Sequence, residues 1–185
     1  MLEIRWHSRA GQGAVTGAKG LADVISTTGK EVQAFAFYGS AKRGAAMTAY
    51  NRVDDKPIMN HEKYMRPDYV LVIDPALTYT ADITANDKDE TIYIITTHMS
   101  REKLIASQPK LEGKKVHAVD AIKIAQETIG RPIPNTPMLG ALMKISGMYE
   151  LDFFKDNMVR VLSKLPKKIV DANMVAIQRA YDEVE

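Results

Sequence analysis

Apolar and polar positions alternate from the second residue: Leu2, Ile4 and Trp6 interleave with Glu3, Arg5 and His7, a period of two that predicts a strand. Glycines interrupt it, and over 12–28 the spacing lengthens. Val15, Ala18, Leu21, Ala22 and Ile25 recur at three and four residues, as on one face of a helix, with Gly29 placed for its C-terminus. "EVQAFAF" (31–37) and "AAMTAYNRV" (45–53) predict two further strands joined by the polar, glycine-bounded loop "YGSAKRG" (38–44). "DYVLVID" (68–74), followed by Pro75, is apolar on both faces and predicts a strand buried in a parallel sheet, a theme repeated by "TIYIITT" (91–97) and "KVHAVD" (115–120). Between these two, "SREKLIASQ" predicts a short helix capped by Ser100. A helix running up to Gly130 follows, then the rigid connection "RPIPNTP", whose Pro137 suits the first position of the next helix. Helices over 137–146, 150–164 and 167–183 complete the pattern.

Strands alternating with helices predict an α/β fold with a largely parallel sheet flanked by helices and a helical C-terminal segment. At 185 residues the expectation is one domain over 1–185, with an α/β core at 1–130 and C-terminal helices at 131–185.

Charge and composition narrow the function. Twenty-five basic residues against 23 acidic ones, spread along the chain, predict no nucleic-acid stripe. Cysteine is absent, which removes disulfides, thiolate nucleophiles and cysteine ligands for zinc or iron–sulfur clusters. Charges begin at Glu3, and no run of about 18 apolar residues occurs, so neither a secretory signal nor a membrane span is expected and the default compartment is the cytoplasm.

The loop "WHSRAGQGAVTGAKG" (6–20) invites comparison with nucleotide-binding turns. Gly11 and Gly13 fit the first two places of G-x-G-x-x-G, but Thr16 holds the third. The acidic residue expected after the second strand to bind a ribose is missing from Phe37-Tyr38-Gly39, and no glycine stands where a P-loop needs one. Two readings stay open for the loop: an anion site made of backbone N–H groups at a helix N-terminus, or a tight strand-to-helix turn. Lys42 and Arg43, between Gly39 and Gly44, fit either a phosphate or carboxylate partner or a solvated turn, at the sheet edge shared with the first loop. Asp74 ends a buried strand, a place where aspartate commonly caps the next turn. His7, His61, His98 and His117 lack metal-ligand spacing, so no metal is expected, and no nucleophilic serine motif occurs.

In combination, "IRWHSRAGQG", "QAFAFYGSAKRGAAMTAYNRV", "DYVLVID" and "IPNTPMLGAL" resemble, in that order and over essentially the whole chain, the gamma subunits of pyruvate:ferredoxin oxidoreductases within the 2-oxoacid:acceptor oxidoreductases. Ser8 replaces the glycine of "WHGRAGQG", and "YGSAKRGAAM" lacks the glutamate and second glycine of "YGxExRGG". The resemblance implies a Rossmann-like domain, inactive alone, in a complex with alpha, beta and delta subunits that passes electrons to ferredoxin or flavodoxin; the alternatives are a gamma subunit for another 2-oxoacid (2-oxoglutarate, 2-oxoisovalerate or indolepyruvate) or a freestanding nucleotide-binding protein. It implies thiamine diphosphate, magnesium and 4Fe-4S clusters in the partner subunits, and no redox cofactor in this chain. It places coenzyme A, as a shared substrate, or a subunit interface against Arg9, Gly11, Gln12, Gly13, Tyr38, Gly39, Lys42, Arg43 and Gly44. The glycine loop would then give backbone donors and the Lys42–Arg43 pair would neutralise phosphates.

Overall fold

In the computed structural model, which describes residues 1–39, 44–59, 62 and 66–185, the alternating N-terminal run is β1 (Leu2–Arg9), and the chain continues through α1 (Ala14–Ser26), β2 (Glu31–Tyr38), β3 (Ala46–Asp54) and β4 (Tyr69–Val72). It then passes through α2 (Leu77–Thr80), β5 (Ile92–Thr96), α3 (Arg101–Ser107), β6 (Lys115–Val119) and α4 (Ala121–Thr128), and ends with α5 (Asn135–Ser146), α6 (Leu151–Val161) and α7 (Lys167–Glu183). The sheet order is β2-β3-β1-β4-β5-β6. β1, β4, β5 and β6 are parallel neighbours, whereas β3 runs against both β1 and β2. The reversal follows from chain length: the link from β2 to β3 is too short for a parallel crossover of a dozen or more residues.

The sheet separates two unequal buried layers. Ile4 and Trp6 face α1 and the C-terminal helices in one large buried cluster that also takes in Leu71, Met138, Leu142, Phe154 and Ile177. The buried indole donates from Nε1 to Asn51 Oδ1 at 2.9 Å, and Asn51 Nδ2 donates to the Ala18 carbonyl at 2.8 Å, so no polar group of the pair is stranded. On the other face a smaller cluster joins Val70, Val72, Tyr93 and Ile95 to Leu77, Leu104 and Leu111.

Near β1 that second face meets loop backbone rather than helix. The buried Arg5 donates to the carbonyls of Ile83 (2.8 Å) and Ala85 (2.7 Å), and the fully buried Arg52 pairs with Glu3 at 3.1 Å. Guanidinium donors thus satisfy carbonyls that irregular segments carry into the interior. Burial, only partly offset by the acidic side chains nearby, lowers the Arg5 pKa.

The C-terminal helices belong to the first cluster. A Cβ on Gly140 would lie 2.1 Å from the Ile177 carbonyl oxygen, so α5 and α7 touch backbone to backbone. Beyond α7, Glu185 exchanges backbone hydrogen bonds with Ala118 of β6 at 3.0 and 3.3 Å. Two local features differ from the sequence pattern. α5 starts at Asn135, which moves Pro137 from the first to the third helical position; its missing N–H still falls among the unpaired donors of the first turn. α2 and a 3-10 turn at Pro109–Leu111 were not anticipated, being too short to display a period.

Candidate functional site

The chain leaves β1 toward β2 on one side and later reaches β4 on the other, so β1 and β4 straddle the point where strand order reverses. Ligands of open α/β sheets sit at the carboxyl ends of the strands at such a point. Here Arg9 ends β1 and Asp74 lies just past β4, while Arg9 pairs with Ala46 and Tyr38 with Met47, which brings the end of β2 to the same edge. The expectation that the first and second loops share one edge therefore holds for the described residues. Lys42 and Arg43 lie outside the described residues.

Asp74 organises this edge. Its Oδ2 accepts from Arg9 Nε at 3.0 Å and from Gln12 Nε2 at 2.8 Å, while Oδ1 accepts the Ala76 backbone N–H at 2.9 Å. It is both the turn cap expected from its position and a brace for the glycine loop. Gln12 closes the loop on itself: Oε1 accepts the Arg9 N–H at 2.7 Å, and its own N–H donates to the Arg9 carbonyl at 3.2 Å. Arg9 Nη1 donates to the Gly44 carbonyl at 3.1 Å. With Nε and Nη1 engaged, the guanidinium is held as a fixed fork, its side chain 35% exposed.

The glycines have separable reasons. Gly11 and Gly13 adopt φ of +95° and +91°, left-handed backbone that side chains resist. A Cβ on Gly13 would also come within 3.0 Å of Asn135 Cγ and Nδ2. Gly17 lies against Trp6, whose ring would be 3.2 Å from an added Cβ. Thr16 therefore does not leave the third glycine's function unfilled: Gly17, one residue later, provides the close helix-to-sheet packing. Asn135, in "IPNTPMLGAL", brings the N-terminus of α5 against that of α1, and neither first turn carries an acidic residue. Two positive helix ends meet beside the loop, a setting that favours an anion.

Of the positions singled out from sequence, the structure brings Arg9, Gly11, Gln12 and Gly13 into one braced loop, with Gly44 tied to it through Arg9. Tyr38 and Gly39 stand farther along the same edge, with Tyr38 59% exposed. Asp74 joins them in its bracing of the loop, a part its strand-end position does not announce, as do Asn135 and Gly17. The i,i+4 spacing of Gly13 and Gly17 was the available signal for the last.

His7 also comes into view. It is 6% exposed and has no side-chain hydrogen-bond partner among the described residues, with Nε2 closed off from solvent. Burial, reinforced by the Arg5 charge, pushes its pKa down to about 3, so the ring is neutral. No helix of the described residues is long and apolar enough to cross a membrane.

The fold and the motifs have relatives. The chain is 46% identical over 185 residues to the pyruvate/ketoisovalerate oxidoreductases common subunit gamma of Pyrococcus abyssi, covering 100% of this chain and 98% of that one. It superposes with a TM-score of 0.84 and 38% identity on the crystal structure of pyruvate oxidoreductase subunit PORC from Thermotoga maritima, over 100% of this chain and 97% of the other. A 2-oxoglutarate:ferredoxin oxidoreductase from Magnetococcus marinus shares the fold alone, with a TM-score of 0.75 at 18% identity; 98% of this chain corresponds to 30% of that longer chain. With these likenesses over its full length, and a family model matching residues 3–183, the chain belongs to the pyruvate ferredoxin/flavodoxin oxidoreductase family.

Proposed function

We propose that this chain is the gamma subunit of a cytoplasmic pyruvate:ferredoxin or flavodoxin oxidoreductase. That complex converts pyruvate, coenzyme A and oxidised acceptor to acetyl-CoA, carbon dioxide and reduced acceptor. The chain works with alpha, beta and delta subunits and supplies interfaces and part of the coenzyme A site. Thiamine diphosphate with magnesium, held elsewhere in the complex, supplies the carbanion chemistry at the 2-oxo carbon. The chain has no cysteine, so the 4Fe-4S clusters fall to other subunits as well.

The observation that carries the ligand reading is the Arg9 guanidinium, fixed by Asp74 and Gly44 beside two helix N-termini. A cation whose orientation is set before the ligand arrives loses little freedom on binding, which suits a phosphate-bearing substrate. Relatives named as a common subunit of pyruvate and ketoisovalerate oxidoreductases support placing selection of the 2-oxoacid in another chain.

The test is an assembled complex carrying Arg9→Ala. The expected result is a KM for coenzyme A raised by roughly tenfold, with kcat and the KM for pyruvate little changed. Unaltered coenzyme A kinetics would remove Arg9 from the site, and a native chain that purifies alone with nicotinamide-dependent activity would overturn the whole reading.

A further inference from the structure

His7 lines a cavity of about 210 Å³ whose other described walls are Phe37, Gly39, Ala46, Met47, Thr48 and Ala81. Register places it beside the braced loop: Thr48 stands opposite His7 and Phe37 opposite Thr48, while Arg9, two residues on along the same face of β1, stands opposite Ala46. Two residues of strand separate imidazole from guanidinium by about 7 Å along the chain. Among the described residues the buried ring has no hydrogen-bond partner, which an occupant of the cavity would supply.

We propose that this cavity is a second part of the ligand site, receiving the neutral, amide-bearing arm of the ligand whose phosphates lie on Arg9, with His7 hydrogen-bonded to that arm. The inference rests on the coenzyme A reading above and names which end of the molecule goes where.

Three features fix the class of group. The volume is smaller than the roughly 300–1,000 Å³ of pockets that enclose whole ligands, so the cavity takes a portion of one. Phe37, Met47, Ala46 and Ala81 make most of the described wall apolar, which disfavours a phosphate against it. The imidazole is neutral, held so by burial and by Arg5, and therefore offers hydrogen bonding without charge. A pantetheine chain, apolar with amides and a terminal thiol, meets all three requirements.

The experiment uses the assembled complex and two competitive probes against coenzyme A: pantetheine, which is the arm alone, and 3′,5′-ADP, which is the anionic end alone. His7→Phe is expected to weaken inhibition by pantetheine roughly tenfold while that by 3′,5′-ADP stays within about twofold, and Arg9→Ala is expected to do the reverse. His7→Gln, which can still hydrogen-bond, recovers part of the loss. Ala46→Leu narrows the cavity without touching the ring and weakens pantetheine as well; it decides the matter if His7→Phe does not assemble. Pantetheine inhibition unchanged in both His7→Phe and Ala46→Leu would overturn the inference, and Arg9→Ala still weakening 3′,5′-ADP in that case would leave the coenzyme A reading standing. If neither probe responds to any of these variants, both readings fall together.

Discussion

Arg9 and Asp74 meet across the carboxyl edge of the sheet, Nε to Oδ2 at 3.0 Å, and the same carboxylate oxygen holds Gln12 at 2.8 Å. One acidic side chain thus sets both the direction of a cation and the shape of the loop that carries it.

Asp74→Ala releases Arg9, Gln12 and the Ala76 N–H together. We expect a loss of about 1–2 kcal/mol in stability by urea denaturation, tempered because Arg9 is partly exposed. In the complex the KM for coenzyme A rises several-fold while kcat holds, and Asp74→Asn, able to accept one of the bonds, falls between.

Gly13→Ala combines two penalties that Gly11→Ala separates. Both positions have positive φ, worth about 1–2 kcal/mol against any side chain. Only at Gly13 would the new Cβ meet Asn135. Gly13→Ala is therefore the more destabilising, and Asn135→Ala placed in its background restores only part of the difference in a double-mutant cycle, because the Asn135 Cβ, itself 3.1 Å from the added methyl, remains.

Gly140→Ala drives a methyl group to 2.1 Å from the Ile177 carbonyl oxygen and separates α5 from α7. The cost is about 3 kcal/mol, seen as a fall of roughly 6–12 °C in Tm. Gly20→Ala is the control, since its Cβ would find nothing nearer than Met158 Cε at 3.7 Å. It should be neutral or stabilising by up to about 1 kcal/mol, because alanine is the better helix former.

His7 makes stability depend on pH with a definite sign. Its folded pKa of about 3 lies below the ordinary 6.5, so as pH falls below 6.5 the unfolded chain binds a proton that the folded chain refuses. Stability is lost on acidification through that window, by up to about 1.4 kcal/mol per pH unit from this group. His7→Phe lacks the contribution. Denaturation midpoints measured at pH 7 and pH 5 should draw together in the variant relative to the parent chain.

Much of this was legible along the chain. The period of two in β1, the three- and four-residue spacing in α1 and the apolar run before Asp74 each place an element by local rules, because a residue's neighbours on its own strand or helix are set by the repeat. The family motifs marked the Arg9–Gly13 loop by the same short-range logic. Fold class also placed the first two loops at one sheet edge, but the particular contacts between distant residues stay open in the sequence alone. That Gly17 does the work Thr16 could not, that Asn135 seats against Gly13, that Asp74 braces Arg9 and that His7, without a hydrogen-bond partner among the described residues, lies beside a cavity all depend on the order β2-β3-β1-β4-β5-β6 and its register. Periodicity tells which face a side chain takes; only the packed sheet decides what stands opposite that face, because those partners come from segments that no local repeat connects.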